Sequence, residues 1–294
     1  MQMASLSAVL KLTRIEHSVM LAIAVVAAEL ISGVLPSPGI FVLALIPPIF
    51  VSMGAFAVND YFDIKVDRFN KRYDRPLVSK KISKKGAMYV IISCFIIGIL
   101  PSVFINAYAF IIVVAFAVLA ILYSYKLKEV LLVGNLYIAF TMVIPFIYGN
   151  FIVADSFNTN IILISFVIFL SGLAREIHGM MRDYSGDTKG RHIKNVVYYL
   201  KLRNSGAVAA VLYFEAIAIS IAMFFLYLPF QGNAVYLIPI VMVDIALAYV
   251  AVLGIYKGKN PKSAAYSIIR NASLGAMSVA LLTYLAAALF YVAI

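Results

Sequence analysis

The stretch from Val58 to Leu77, VNDYFDIKVDRFNKRYDRPL, places Asn59, Asp60, Asp63, Asp67 and Asp74 among arginines and lysines directly after an apolar run. A helix advances about 100° per residue, so Asn59, Asp60, Asp63 and Asp67 fall within an arc of about 100° on one face. A second stretch, around RDYSGDTKGR, offers Asp183 and Asp187 as an i, i+4 pair that also shares a face. Carboxylate oxygens suit a hard cation. Mg2+ takes one or two carboxylates and completes its shell with water and substrate phosphate oxygens. Two facing clusters would let Asp60, Asp63, Asp67, Asp183 and Asp187 hold Mg2+ ions that clamp a diphosphate. Arg72 and Arg75 after the first cluster, Arg182, Lys189 and Arg191 around the second, and Lys126 and Lys128 elsewhere would add fixed positive charge. A diphosphate gripped in this way is a good leaving group, because the charge it develops on departure is already met. The plainer reading is a solvated helix extension. Like charges stacked on one face repel, which favours the metal reading.

The elements that must position these residues are membrane helices. Hydrophobic residues make up 64% of the chain and charged ones 13%, too little polar surface to clothe a soluble globule of 294 residues. Nine apolar runs, each of about 20 residues, are long enough to cross a bilayer: His17–Leu35, Gly39–Val58, Ala87–Ile105, Ala107–Tyr123, Leu131–Ala154, Ile161–Gly179, Ser205–Leu228, Val235–Ile255 and Ser267–Ile294. Lipid cannot satisfy backbone polar groups, so the expectation is an all-α bundle of nine transmembrane helices with two Asp-rich cytoplasmic loops. The turns PSPG, PSVFINA, ADSFNTN and LPFQGN hold no Lys or Arg, whereas every base lies in the N-terminal segment, the opposite loops or adjoining helix ends. That asymmetry places the N-terminus and the acidic clusters on the cytoplasmic side. The excess of 24 Lys and Arg over 13 Asp and Glu then reports orientation and not a nucleic-acid partner. Residues 1–294 read as one domain. Aligning the stretches 59–77 and 175–191 suggests an internal duplication.

The motif NDYFDIKVDRFNKRYDRPL resembles the signature of the UbiA superfamily of intramembrane prenyltransferases, including its trailing Asn and Arg-Pro-Leu. REIHGMMRDYSGDTKGR resembles that family's second motif, with Arg175, Glu176, Asp183, Gly186 and Asp187 in register, although Gly179-Met180 stands where many members carry Lys-Asp. LYSYKLK, Leu122 to Lys128, followed by Gly134-Asn135, resembles its Tyr-plus-Lys stretch, with Leu127 where relatives place the lysine, so Lys126 and Lys128 are both candidates. The resemblance implies Mg2+-dependent transfer of an isoprenoid chain from its diphosphate to a lipophilic acceptor. It gives Asp60, Asp63, Asp183 and Asp187 as the reaction's essential acids and Asn59 as a ligand or supporting group. It leans toward the archaeal ether-lipid branch, in which geranylgeranyl diphosphate is joined to geranylgeranylglyceryl phosphate. Prenylation of an aromatic acid in quinone synthesis is the alternative within the family. An ion-coupled transporter is the alternative of another class, disfavoured because the acids sit at the membrane mouth beside bases.

Glu29, Glu215 and Asp244 lie within apolar runs, where ionisable groups are expensive. His17, His178 and His192 could take a proton from an acceptor, or serve simply at the interface. Among 20 Phe and 19 Tyr, some would line a cavity where an allylic cation develops. The sequence shows no Cys/His cluster for zinc, no Gly-x-Ser-x-Gly for a serine hydrolase and no Walker loop for a nucleotide.

Overall fold

The computed structural model describes residues 5–33, 35–190, 195–260 and 263–293, with side chains left undescribed at 185–190, 292 and 293. Ten α-helices account for nearly all of it: α1 (Leu6–Thr13), α2 (Ile15–Ile31), α3 (Pro38–Phe69), α4 (Lys84–Ser102), α5 (Ala107–Tyr125), α6 (Val133–Val153), α7 (Thr159–Gly190), α8 (Val196–Leu226), α9 (Ala234–Lys257) and α10 (Ala265–Ala293). A 3-10 turn, Leu127–Glu129, joins α5 to α6. Among the described residues there are no strands. Eight helices, α3 to α10, are long and apolar enough to cross a membrane. The first apolar run forms α2, whose 17 residues lie at the short end of the spanning range.

The helices pack in two groups. In one, α3, α4 and α5 bury a core with α1; in the other, α7 to α10 surround a second core, and α2 and α6 contribute to both. Small residues let the bridging helices approach. A Cβ on Gly149 of α6 would stand 2.7 Å from the Val25 carbonyl oxygen and from Ala28 Cβ of α2. Replacing Gly149 with Val is expected to push α2 from α6 at a cost of about 1–3 kcal/mol, visible as a lowered midpoint of thermal unfolding in detergent. Pro47 and Pro48 lie inside α3. Pro48 has no N–H to give to the carbonyl of Ala44, and the Tyr148 hydroxyl of α6 donates to that oxygen at 3.3 Å instead.

The structure corrects one expectation directly. The acids do not lie in loops: Asn59, Asp60, Asp63 and Asp67 are in the last turns of α3, and Asp183 and Asp187 fall within α7. Both helices run on past their apolar segments because nothing between breaks them. On α3 the helix ends only at Asn70, followed by Lys71 at a φ of 55°. A helix that leaves the bilayer intact keeps its backbone hydrogen bonds and holds the acids at fixed rotation relative to the core.

Candidate active site

The first cluster begins with a carboxylate that faces inward. Asp60 is 2% exposed, while Asn59, Asp63 and Asp67 are half-buried on the same face of α3. Arg14 Nη2 donates to Asp60 Oδ1 at 2.9 Å, and Arg75 Nη1 donates to the same oxygen at 2.5 Å. The other oxygen, Oδ2, is buried without a partner. Two guanidiniums on one carboxylate leave the group strongly held yet only half satisfied. Arg75 reaches back from the turn that follows α3. Arg14 arrives from the junction of α1 and α2, where its φ of 48° turns the chain and its guanidinium lies 4.7 Å from the centre of the Phe56 ring. Burial lowers the Arg14 pKa and Asp60 opposes that shift; a guanidinium starts high enough to remain charged regardless.

One turn along α3, Asp63 receives a hydrogen bond from the Lys128 ammonium. Lys128 sits on the 3-10 turn, which brings it under α3, whereas Lys126 is exposed and, among the described residues, pairs with none of the acids. Of the two lysines left open by the sequence, Lys128 is therefore the one placed at the cluster. Arg72 pairs with Asp74 at 3.1 Å on the surface, and this contact holds the Asp74 carboxyl below its usual pKa. Such an exposed pair is weak, so Arg72 is easily drawn to another anion.

The second cluster is more open. Arg182 makes a two-pronged pair with Asp183, Nε to Oδ1 at 2.8 Å and Nη2 to Oδ2 at 2.7 Å, with both side chains exposed. The side chains of Asp187 and Lys189, and residues Arg191 and His192 altogether, lie outside the described residues. Among the described residues no three acidic, His or Cys side chains converge on one point. The first cluster is thus assembled with its bases, and the structure shows no contact between Asp183 and the acids of α3.

The two halves are linked through aromatic and polar contacts. Tyr123 of α5 stacks on Tyr137 of α6, centroids 4.5 Å apart and planes 20° apart, and Tyr137 stacks in turn on Phe116 at 6.0 Å. Tyr123 lies within electrostatic reach of both Asp63 on α3 and Glu176 on α7. The side chain of Asn135, on α6, lies beside Glu176. Phe116 then lines an apolar cavity with Pro47, Pro48 and Val51 of α3 and Pro145 and Tyr148 of α6. Thirteen residues of helix separate Pro47 from Asp60, a depth of about 20 Å. The acids and bases, the stacked aromatic rings and the apolar cavity thus follow one another along α3, α5 and α6.

Sequence reasoning missed Arg14 and Tyr137 as members of this constellation; Tyr123 and Asn135 lay within stretches it had singled out, without an assigned role. Of the histidines it offered, His17 pairs with Glu16 at the surface and packs on the Phe56 ring, centroids 5.7 Å apart, while His178 is buried against Gly254, where an added Cβ would stand 2.2 Å from its Nε2. Glu29 is fully buried near the far end of α2, Asp244 accepts from Ser220 between α8 and α9, and Glu215 is exposed on the outer face of α8. None of the three borders the mouth.

The arrangement suits an oxygen-seeking cation. All the candidate donors are carboxylates, Asp60 Oδ2 is a buried acceptor lacking a donor, and Mg2+ needs only one or two such groups when phosphate and water supply the rest.

Comparison with known proteins places these features in context. Residues 19–282 match the model of the UbiA prenyltransferase family. The chain is 34% identical over 247 residues to a digeranylgeranylglyceryl phosphate synthase of Archaeoglobus fulgidus, covering 84% of each chain. It is 31% identical to the enzyme of the same name from Saccharolobus solfataricus, covering 85% of this chain and 87% of that one. A solved structure described as digeranylgeranylglyceryl phosphate synthase in membranes superposes with a TM-score of 0.77 at 28% identity, over 98% of this chain and all of the other. A UbiA homolog from Archaeoglobus fulgidus bound to GPP and Mg2+ shares the fold at a TM-score of 0.68 and 18% identity, over 98% of this chain and 100% of that one.

Proposed function

The chain belongs to the UbiA prenyltransferase family, and from that premise we propose that it joins a geranylgeranyl group, carried as its diphosphate, to the free hydroxyl of geranylgeranylglyceryl phosphate. It is an intramembrane prenyltransferase acting in archaeal ether-lipid synthesis. The observation that carries the assignment to this site is the paired mouth of α3: Asp60 between Arg14 and Arg75, and Asp63 with Lys128, above an aromatic-lined apolar interior.

Each part has a task. Asp60, Asp63 and Asp67 on α3, with Asp183 and Asp187 on α7, would hold Mg2+, and Asn59 would support them. When bound, Mg2+ neutralises the diphosphate and stabilises the charge that gathers on it as the carbon–oxygen bond breaks. Lys128, Arg75 and Arg72, together with Arg182 and Lys189 of α7, contact the remaining phosphate oxygens and fix C1 of the prenyl chain at the level of Tyr123. The stacked rings of Tyr123, Tyr137 and Phe116 face the carbon that becomes electron-poor without offering it a strong nucleophile. The tail extends into the cavity between α3, α5 and α6, which excludes water from the reacting carbon.

Several relatives carry the name of the ether-forming synthase, which supports a glycerol hydroxyl as acceptor. In the proposed topology α2 is a ninth crossing, the N-terminus and the mouth face the cytoplasm, and the enzyme resides in the cell membrane, as the distribution of Lys and Arg supports. The lysine assignment gives a direct test. Lys128→Ala is expected to raise KM for geranylgeranyl diphosphate at least about tenfold, whereas Lys126→Ala changes it by less than about threefold. Equal effects of the two substitutions on steady-state kinetics would remove Lys128 from the diphosphate site.

A further inference from the structure

Ether formation requires the acceptor hydroxyl to lose its proton, and none of the groups above accepts it. Asp60 and Asp63 of α3 are engaged with cations, Asp67 is assigned to the metal, His17 pairs with Glu16 at the surface, and His178 lies buried against α9. Glu176 is placed differently. It lies seven residues, or two turns, before Asp183 on α7 and so shares that acid's face about 10 Å deeper in the bundle. Across the mouth it meets Asn135 of α6 and lies near Tyr123, whose other neighbour is Asp63. The Lys128–Asp63 pair, the Tyr123–Tyr137 stack and Glu176 beside Asn135 thus stand in order from α3 through α5 and α6 to α7. Arg175 and Arg182 are the charged groups near Glu176 on its own helix, and Tyr123 is the titratable group facing it from α5. Among the described residues no cation approaches Glu176 within ion-pair distance, so the carboxylate is not locked in a salt bridge.

Resting on the proposed acceptor, we propose that Glu176 is the general base of the reaction. The acceptor oxygen bonds to C1 of the prenyl chain as the bond from C1 to the diphosphate oxygen breaks. The electron pair of that broken bond leaves with diphosphate. The hydroxyl proton passes to the Glu176 carboxylate and returns to solvent when the products depart. Asn135 keeps the carboxylate turned toward the mouth, a positioning role.

Glu176→Gln keeps the size of the side chain and its place beside Asn135 while removing the base. It is expected to bind geranylgeranyl diphosphate within about threefold of the parent and to form ether about 10²–10⁴-fold more slowly. An acceptor carrying a thiol in place of the hydroxyl ionises near pH 8.5 and needs little help, so with it the loss is expected to shrink below about tenfold. Glu176→Asp is expected to recover at least about tenfold over Gln with the natural alcohol. The proposal is overturned if Gln transfers at the parent rate, if alcohol and thiol suffer equally, or if Asp is no better than Gln. Failure of the parent chain itself to make any ether would instead overturn the acceptor assignment.

Discussion

Asp60→Ala is expected to slow Mg2+-dependent release of diphosphate from geranylgeranyl diphosphate by about 10²–10³-fold, the scale of loss when a fixed group facing developing charge is removed. The substitution does more than delete a proposed metal ligand. It leaves Arg14 and Arg75 facing each other without the carboxylate that now receives both, and half-buried like charges repel. Stability is therefore expected to fall alongside activity. Asp60→Asn helps separate the two effects: its amide oxygen can still accept from the guanidiniums although it does not balance their charge, so it should regain part of the lost stability while remaining nearly inactive. Diphosphate release measured with a coupled phosphate assay, beside thermal unfolding, checks both. Undiminished release from folded Asp60→Ala would remove Asp60 from the metal site.

Withdrawal of divalent cations is expected to have an equally large effect. With EDTA in excess, prenyl transfer should fall to background and return on adding Mg2+ or Mn2+, both of which accept an all-oxygen donor set. Zn2+, which prefers nitrogen and sulfur ligands, should restore much less. Substrate binding should respond too, because without the cation the diphosphate meets Asp60, Asp63 and Asp67 as like charges. Loss of the cation is thus expected to raise the Kd for geranylgeranyl diphosphate as well as lower kcat, and equilibrium binding with and without EDTA measures it. Full transfer in EDTA would contradict any metal role for these acids.

Lipid imposes most of what was legible in the sequence. Apolar runs must become helices because the bilayer satisfies no backbone group, so α3 to α10 each begin within a few residues of a run, except α8. That helix starts nine residues early at Val196, with a non-helical Lys201 at φ 65° between its surface turn and the apolar segment from Ser205. The face shared by Asp60, Asp63 and Asp67 was legible as well, since helical phase carries across the membrane boundary. That these acids continue α3 itself, and do not form a loop, depended on the absence of a breaker before Asn70.

What stayed hidden were partnerships set by breaks in the helices. Arg14 looks like any base at a cytoplasmic helix end, and only the left-handed turn between α1 and α2 swings it onto a carboxylate 46 residues away. Lys126 and Lys128 are equivalent by spacing until a 3-10 turn rotates one of them under Asp63. Tyr123 and Tyr137 are two aromatics among 39 Phe and Tyr, 20 plus 19, and nothing in either helix marks them as stacked partners. Glu176 was visible within a recognisable motif, but its depth relative to Asp63 follows from how α5 and α6 bridge α3 and α7.

The central claim is Mg2+-dependent transfer of a geranylgeranyl group to a glycerol hydroxyl. Purified chain offered geranylgeranyl diphosphate and Mg2+, with geranylgeranylglyceryl phosphate in one vessel and an aromatic acid in another, tests it most directly by mass spectrometry of the lipid extract. The expected result is the doubly alkylated glyceryl phosphate in the first vessel and no prenylated acid in the second. Prenylated aromatic acid with no diether, or no Mg2+-dependent product in either vessel, would contradict it.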